Sequence, residues 1–94
     1  MTTYAVRYTY DARSDVRDAV RPEHRAYLGG LLERGALHMS GPFSDEGEPG
    51  ALLIFEAAGA EELAELLAAD PFAREGLVAR IDVRAWTVAI GSLG

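Results

Sequence analysis

The chain contains no cysteine and no lysine. Without thiols there is no disulfide framework and no thiolate metal centre. All nine basic residues are arginines, set against fifteen acidic residues for a net charge of −6. The arginines are scattered instead of gathered into a stripe, and an acidic balance disfavours anionic polymers, so no nucleic-acid partner is expected. No run approaches the roughly 20 apolar residues of a membrane span, so no membrane partner is expected either. "MTTYAVRYTY" shows neither the basic nor the apolar region of a secretory signal, which makes the expected location cytoplasmic. Linkers, repeats and low-complexity blocks are also missing. So are a phosphate-loop glycine order, a Gly-x-Ser-x-Gly elbow and any His-x-His or His-x₃-His spacing, which leaves no local case for a metal or an acyl-enzyme serine.

What remains is one small domain, residues 1–94, about half hydrophobic and about a quarter charged. A chain this short buries only about 60–65% of its unfolded surface, so association is a common remedy. "TYAVRYTY", 3–10, alternates, with Tyr4, Val6, Tyr8 and Tyr10 on one face. "DARSDVRDAV" carries helix-start residues. Pro22 then either sits in the first turn of the main helix or lies inside a longer helix that runs from about Asp15. Gly35 ends the helix either way. A second strand spans 36–43 and stops at Gly41-Pro42. "ALLIFEA", 51–57, is apolar on both faces, as a central strand covered on both sides would be. "GAEELAELLAAD" is an amphipathic helix with Glu61 and Glu62 in its first turn. "PFAREG" reads as a connecting turn. "VARIDVRAWTVAIG" reads as a long last strand with a parity change near Ala85. The order β-α-β-β-α-β predicts an α+β, ferredoxin-like split βαβ fold, with two helices on one face of an antiparallel sheet. The other face would be partly apolar, which in a small chain calls for a partner.

Two polar residues interrupt the apolar stripes. In "RPEHRAYLGGLL" the helical step through Tyr27, Leu28 and Leu31 extends backwards to His24. In the second helix, Leu63, Leu66 and Leu67 lead on to Asp70. Taken alone, His24 reads as a hydrogen-bonded core histidine, and Asp70 before Pro71 reads as a cap for the next turn. Taken together they suggest a dyad, in which a carboxylate accepts from one imidazole nitrogen and fits the other for general base work. Parallel helices would place an early His24 far from a late Asp70. The two meet only if the first helix overhangs the sheet or the chain folds back after Asp70.

"RPEHRAYL", "SGPF" and "ADPFAREGL", in this order and spacing, resemble the YciI-like family, and the resemblance covers nearly the whole chain. It implies a dimeric α+β barrel in which a homodimer packs sheet to sheet, with a pocket between sheet and helices. It implies an acid–base site without a cofactor, formed by His24 and Asp70. Relatives in aromatic degradation suggest elimination or isomerisation of a small molecule, including loss of hydrogen halide. Arg21 matches the family's Arg-x-x-His step and could hold a substrate carboxylate or form a surface ion pair. Gly41-Pro42 matches its Gly-Pro step, and Asp70-Pro71-Phe72 its Asp-Pro-aromatic step. Ser40 and the Gly41–Pro42 backbone are candidate substrate contacts or turn formers. Phe72 is a hydrophobic plug or a pocket wall, and Tyr8 is core or pocket lining. His38, alternating with Ser40, reads as a strand residue facing a subunit partner or solvent, with a catalytic role as the alternative. Three functions follow: a lyase- or isomerase-like enzyme, a non-catalytic ligand-binding or accessory module, and a structural dimer in which the dyad only braces two helices.

Overall fold

The computed structural model describes residues 1–93. These residues form four strands and three helices: β1 Thr2–Tyr10, α1 Ser14–Glu33, β2 Leu37–Pro42, β3 Gly50–Ala57, α2 Ala60–Ala68, α3 Pro71–Arg74 and β4 Val78–Ala85. The strands make one antiparallel sheet in the order β2-β3-β1-β4, the arrangement of a ferredoxin-like fold. Val6 lies between Leu53 on β3 and Val83 on β4. Antiparallel partners share a face, so Val6, Tyr8, Leu53 and Phe55 project together against Leu28 and Leu31 of α1 and Leu63 and Leu67 of α2.

One open alternative is decided and two expectations are corrected. Pro22 is inside α1, not at its start. The helix begins eight residues before it, which realises the longer of the two expected helices. "PFAREG" is not a plain turn, because Pro71–Arg74 form a helical turn with Pro71 at its first position and Asp70 as its cap. The last strand stops at Ala85, well short of 91. Its partner is β1, where Tyr4 pairs with Ala85 and Thr3 accepts one further bond from the Trp86 N–H at 2.9 Å. The regular ladder between β4 and β1 ends there.

Gly35 ends α1 as expected. It takes φ +78°, and the Ala36 N–H bonds the Leu31 carbonyl at 2.9 Å while the Gly35 N–H reaches Leu32. Gly76 repeats the device after α3, with φ +69° and the Leu77 N–H on the Phe72 carbonyl at 3.0 Å. Both are left-handed helix stops that an L side chain would strain.

β3 is central, but helices cover it on one face only. Right-handed crossovers put both connections on the same side of the sheet. On the far face Ile54 is buried, while Leu52 and Met39 are each more than two-fifths exposed. Toward β4 that face turns polar, with Arg7 bonded to Asp82 at 3.2 Å.

Candidate active site

Asp70 follows α2 and caps α3 with its side chain. It is 1% exposed and accepts three hydrogen bonds. Its Oδ1 takes the Phe72 N–H at 3.0 Å and His24 Nδ1 at 2.7 Å, and its Oδ2 takes the Tyr8 hydroxyl at 2.8 Å. The cap and the dyad, weighed above as alternatives, therefore coexist on one carboxylate. The expected obstacle to their meeting disappears for a simple reason. Because α1 starts at Ser14, His24 sits in the middle of the helix, and α1 packs against α3, where Asp70 is the cap.

The dyad fixes the imidazole. An ionised carboxylate only accepts, so Nδ1 carries a proton, and in the neutral ring the lone pair is then on Nε2. Among the described residues no group bonds Nε2. Phe72 lies flat on the ring, with centroids 3.9 Å apart and planes 5° from parallel. Tyr8 is buried behind the carboxylate, and its phenol is pushed far above the ordinary tyrosine range, first by burial and then by the Asp70 charge. Tyr8 is thus core and not pocket lining, and it orients Asp70.

His24 opens onto a cavity of about 540 Å³ between α1 and the sheet, within the size range of small-molecule sites. Arg21, Ser40, Gly41, Pro42 and Phe72 all line it, so every proposed substrate contact converges on one space. Asp70 lies behind His24 and does not line it. Ser40 reaches the cavity through a register shift in β2. Leu37 pairs with Phe55 on the helix face, and Met39 pairs with Ile54 on the far face, so Ser40 returns to the helix face opposite Leu53. Arg21 also binds Asp18 at 2.6 Å, so the expected surface ion pair is formed by a side chain that lines the cavity. His38 lines the same cavity and stands 3.6 Å from Glu56.

Arg25, Tyr10 and Arg17 were not singled out from sequence. Arg25 lines the cavity and has no ion-pair partner among the described residues. Tyr10 also lines it, edge-on to Phe72 at 5.4 Å. Its phenol is pushed up to about 12, chiefly by burial and then by Asp70, with Arg17 and Arg21 opposing. Arg17 is 6% exposed, donates to the Asp11 carbonyl and lies 4.9 Å from the Tyr10 ring centre. A usable signal existed: from His24 the helical step leads back to Arg21 and Arg17, and strand alternation puts Tyr10 on the helix side. No aspartate or glutamate lines the cavity, although the chain is acidic. Among the described residues no group of three or more His, Cys, Asp or Glu side chains is placed to hold a metal ion. No helix among them is long and apolar enough to cross a membrane.

Residues 1–87 match the YCII-related domain, and the chain belongs to that family. Among solved structures it is similar to 5-chloro-2-hydroxyhydroquinone dehydrochlorinase (TftG) from Burkholderia phenoliruptrix AC1100, in complex with 2,5-dihydroxybenzoquinone. That likeness has 27% identity and a TM-score of 0.80, over 90% of this chain and 93% of the other. Rv0793 from Mycobacterium tuberculosis shares the fold at 13% identity and TM-score 0.55, over 97% of each chain. No curated protein sequence matches the chain.

Proposed function

We propose that the chain is a cofactor-independent enzyme that carries out elimination or isomerisation at an activated carbon of a small planar substrate. The observation that carries this reading is the 2.7 Å bond from His24 to Asp70, made by a ring whose other nitrogen faces a cavity without a protein partner. In this reading Nε2 takes a proton from the substrate as general base, and Asp70 holds the tautomer and balances the imidazolium that forms. For a chlorinated hydroxyhydroquinone the reacting form is the keto tautomer, in which one hydroxyl proton has moved to the chlorine-bearing carbon. Nε2 then takes the proton of a second hydroxyl, and that O–H electron pair becomes a C=O π bond. The ring double bond shifts toward the chlorine-bearing carbon, and chloride departs with the electrons of its own bond. The imidazolium then returns its proton to solvent. Arg21, Arg25 and the Ser40–Gly41 segment would hold the phenolate or another anionic group, which the lack of acidic side chains in the cavity favours. Phe72 supplies a flat apolar wall.

Chlorinated hydroxyhydroquinones are the first compounds to assay, because the dehydrochlorinase above shares fold and chain length with this protein. His24→Ala is expected to abolish chloride release while circular dichroism and melting stay those of a folded protein. A folded alanine variant with full turnover sinks the mechanism. Ligand binding that survives in that variant, with no product from either protein, favours the accessory-module reading. The proposal includes a cytoplasmic homodimer formed through the helix-free face, where Leu52 and Met39 would be covered. A monomeric mass in sedimentation equilibrium would remove the dimer.

A further inference from the structure

We propose that Tyr10 is the hydrogen-bond donor of the site: its hydroxyl binds a substrate oxygen while His24 faces the carbon or hydroxyl that loses the proton. This rests on reading the cavity as the active site, and adds a catalytic residue to it. Four observations carry it. Tyr10 lines the cavity that His24 lines. Both rings touch Phe72, one edge-on and one stacked, so they share a neighbour at the cavity wall. Among the described residues the Tyr10 hydroxyl has no hydrogen-bond partner, whereas the hydroxyls of Tyr8 and Tyr27 are engaged, by Asp70 and by the Leu66 carbonyl. The ring lies under the buried guanidinium of Arg17, which the proton transfer does not use.

A buried arginine needs a reason. Arg17 is anchored on the Asp11 carbonyl and stands 3.7 Å from the Asp11 carboxylate. Its guanidinium also lies over the Tyr10 ring, 4.9 Å from the centre, and does not line the cavity. Arg17 is therefore a positioning residue. The chemistry then separates into two roles. Elimination or enolisation builds negative charge on an oxygen as the proton leaves, and a preorganised donor at that oxygen is worth most at that moment. Its burial keeps the Tyr10 phenol protonated through the physiological range, so it serves as donor and not as a second base.

The test is a titration with 2,5-dihydroxybenzoquinone, followed by its absorbance, on the native protein and on Tyr10→Phe. The phenylalanine ring keeps the contacts with Phe72 and Arg17 and loses only the hydroxyl. The expected result is a Kd about tenfold weaker at an unchanged melting temperature, because that hydroxyl bonds nothing within the protein. Arg17→Met is expected to weaken binding in the native background but not in Tyr10→Phe. Equal affinity in Tyr10→Phe and native protein overturns the donor role and leaves the His24 mechanism standing. Weaker binding with a matching fall in melting temperature overturns it too, since the hydroxyl would then be structural. No binding by the native protein overturns the reading of the cavity as a site for hydroxylated quinoid substrates, and the donor role with it.

Discussion

Among the described residues there are two histidine–carboxylate pairs, and they differ in almost everything except composition. His24 and Asp70 stand 2.7 Å apart with side chains 9% and 1% exposed, while His38 and Glu56 stand 3.6 Å apart with side chains 29% and 23% exposed. Asp70 accepts from three donors on three different elements. Glu56 accepts from the Thr3 hydroxyl at 2.7 Å and meets His38 only at ion-pair range. A charge can be taken out of water only when its hydrogen bonds are replaced. The first pair meets that condition and can fix one tautomer in one orientation. The second stays wet and adaptable, and its geometry gives no reason to assign it chemistry.

The sharpest way to break this comparison is Asp70→Ala. It strands the Tyr8 hydroxyl, His24 Nδ1 and the Phe72 N–H in the interior, and the expected cost is about 3–5 kcal/mol. Against a total stability of about 5–15 kcal/mol, equilibrium denaturation will show it plainly. Asp70→Asn keeps the volume and one acceptor oxygen, so a smaller loss is expected.

Alkaline unfolding is the next measure, and it reports on the tyrosines buried around the His24–Asp70 pair. Tyr8 and Tyr10 both have phenols raised above the ordinary tyrosine value of 10.0, Tyr10 to about 12. Below pH 10 both are neutral in folded and unfolded chains, so their contribution is fully present. Above it the unfolded chain releases its phenolic protons first, binds fewer protons than the native state, and stability falls as pH rises toward the folded value. Urea midpoints should therefore be flat with respect to these groups up to about pH 10 and decline beyond it. A flat midpoint at higher pH would contradict the burial of these phenols.

The smallest effect belongs to the exposed pair. Glu56→Gln retains an acceptor for Thr3 and removes a charge that solvent screens, so a change within about 0.5 kcal/mol is expected. A loss comparable to that of Asp70→Ala would erase the distinction between the two pairs.

Much of this was legible before the fold was known. The alternation of Tyr4, Val6, Tyr8 and Tyr10 and the helical spacing of His24, Leu28 and Leu31 are local patterns, and local patterns reveal which face a segment buries. The interruption of both stripes by a polar residue marked His24 and Asp70. Residues 86–91 were misjudged because strand propensity says nothing about whether a partner strand is still alongside. Pro22 allowed two readings, since a proline inside a helix is unfavourable but tolerable when tertiary packing supports the rest.

By itself, then, the sequence determined the order of the four strands and the two longer helices, the buried faces of β1, α1 and α2 and the two residues of the dyad, because periodicity and chain punctuation act over a few neighbours. Only the tertiary structure decided that Tyr8 would serve Asp70, that Ser40 and not Met39 would pair opposite Leu53 on the helix face, and that Arg17 would lie over Tyr10. Those outcomes depend on strand register and on how α1 lies across the sheet. They are set by packing between segments far apart in the chain, where no local pattern reaches.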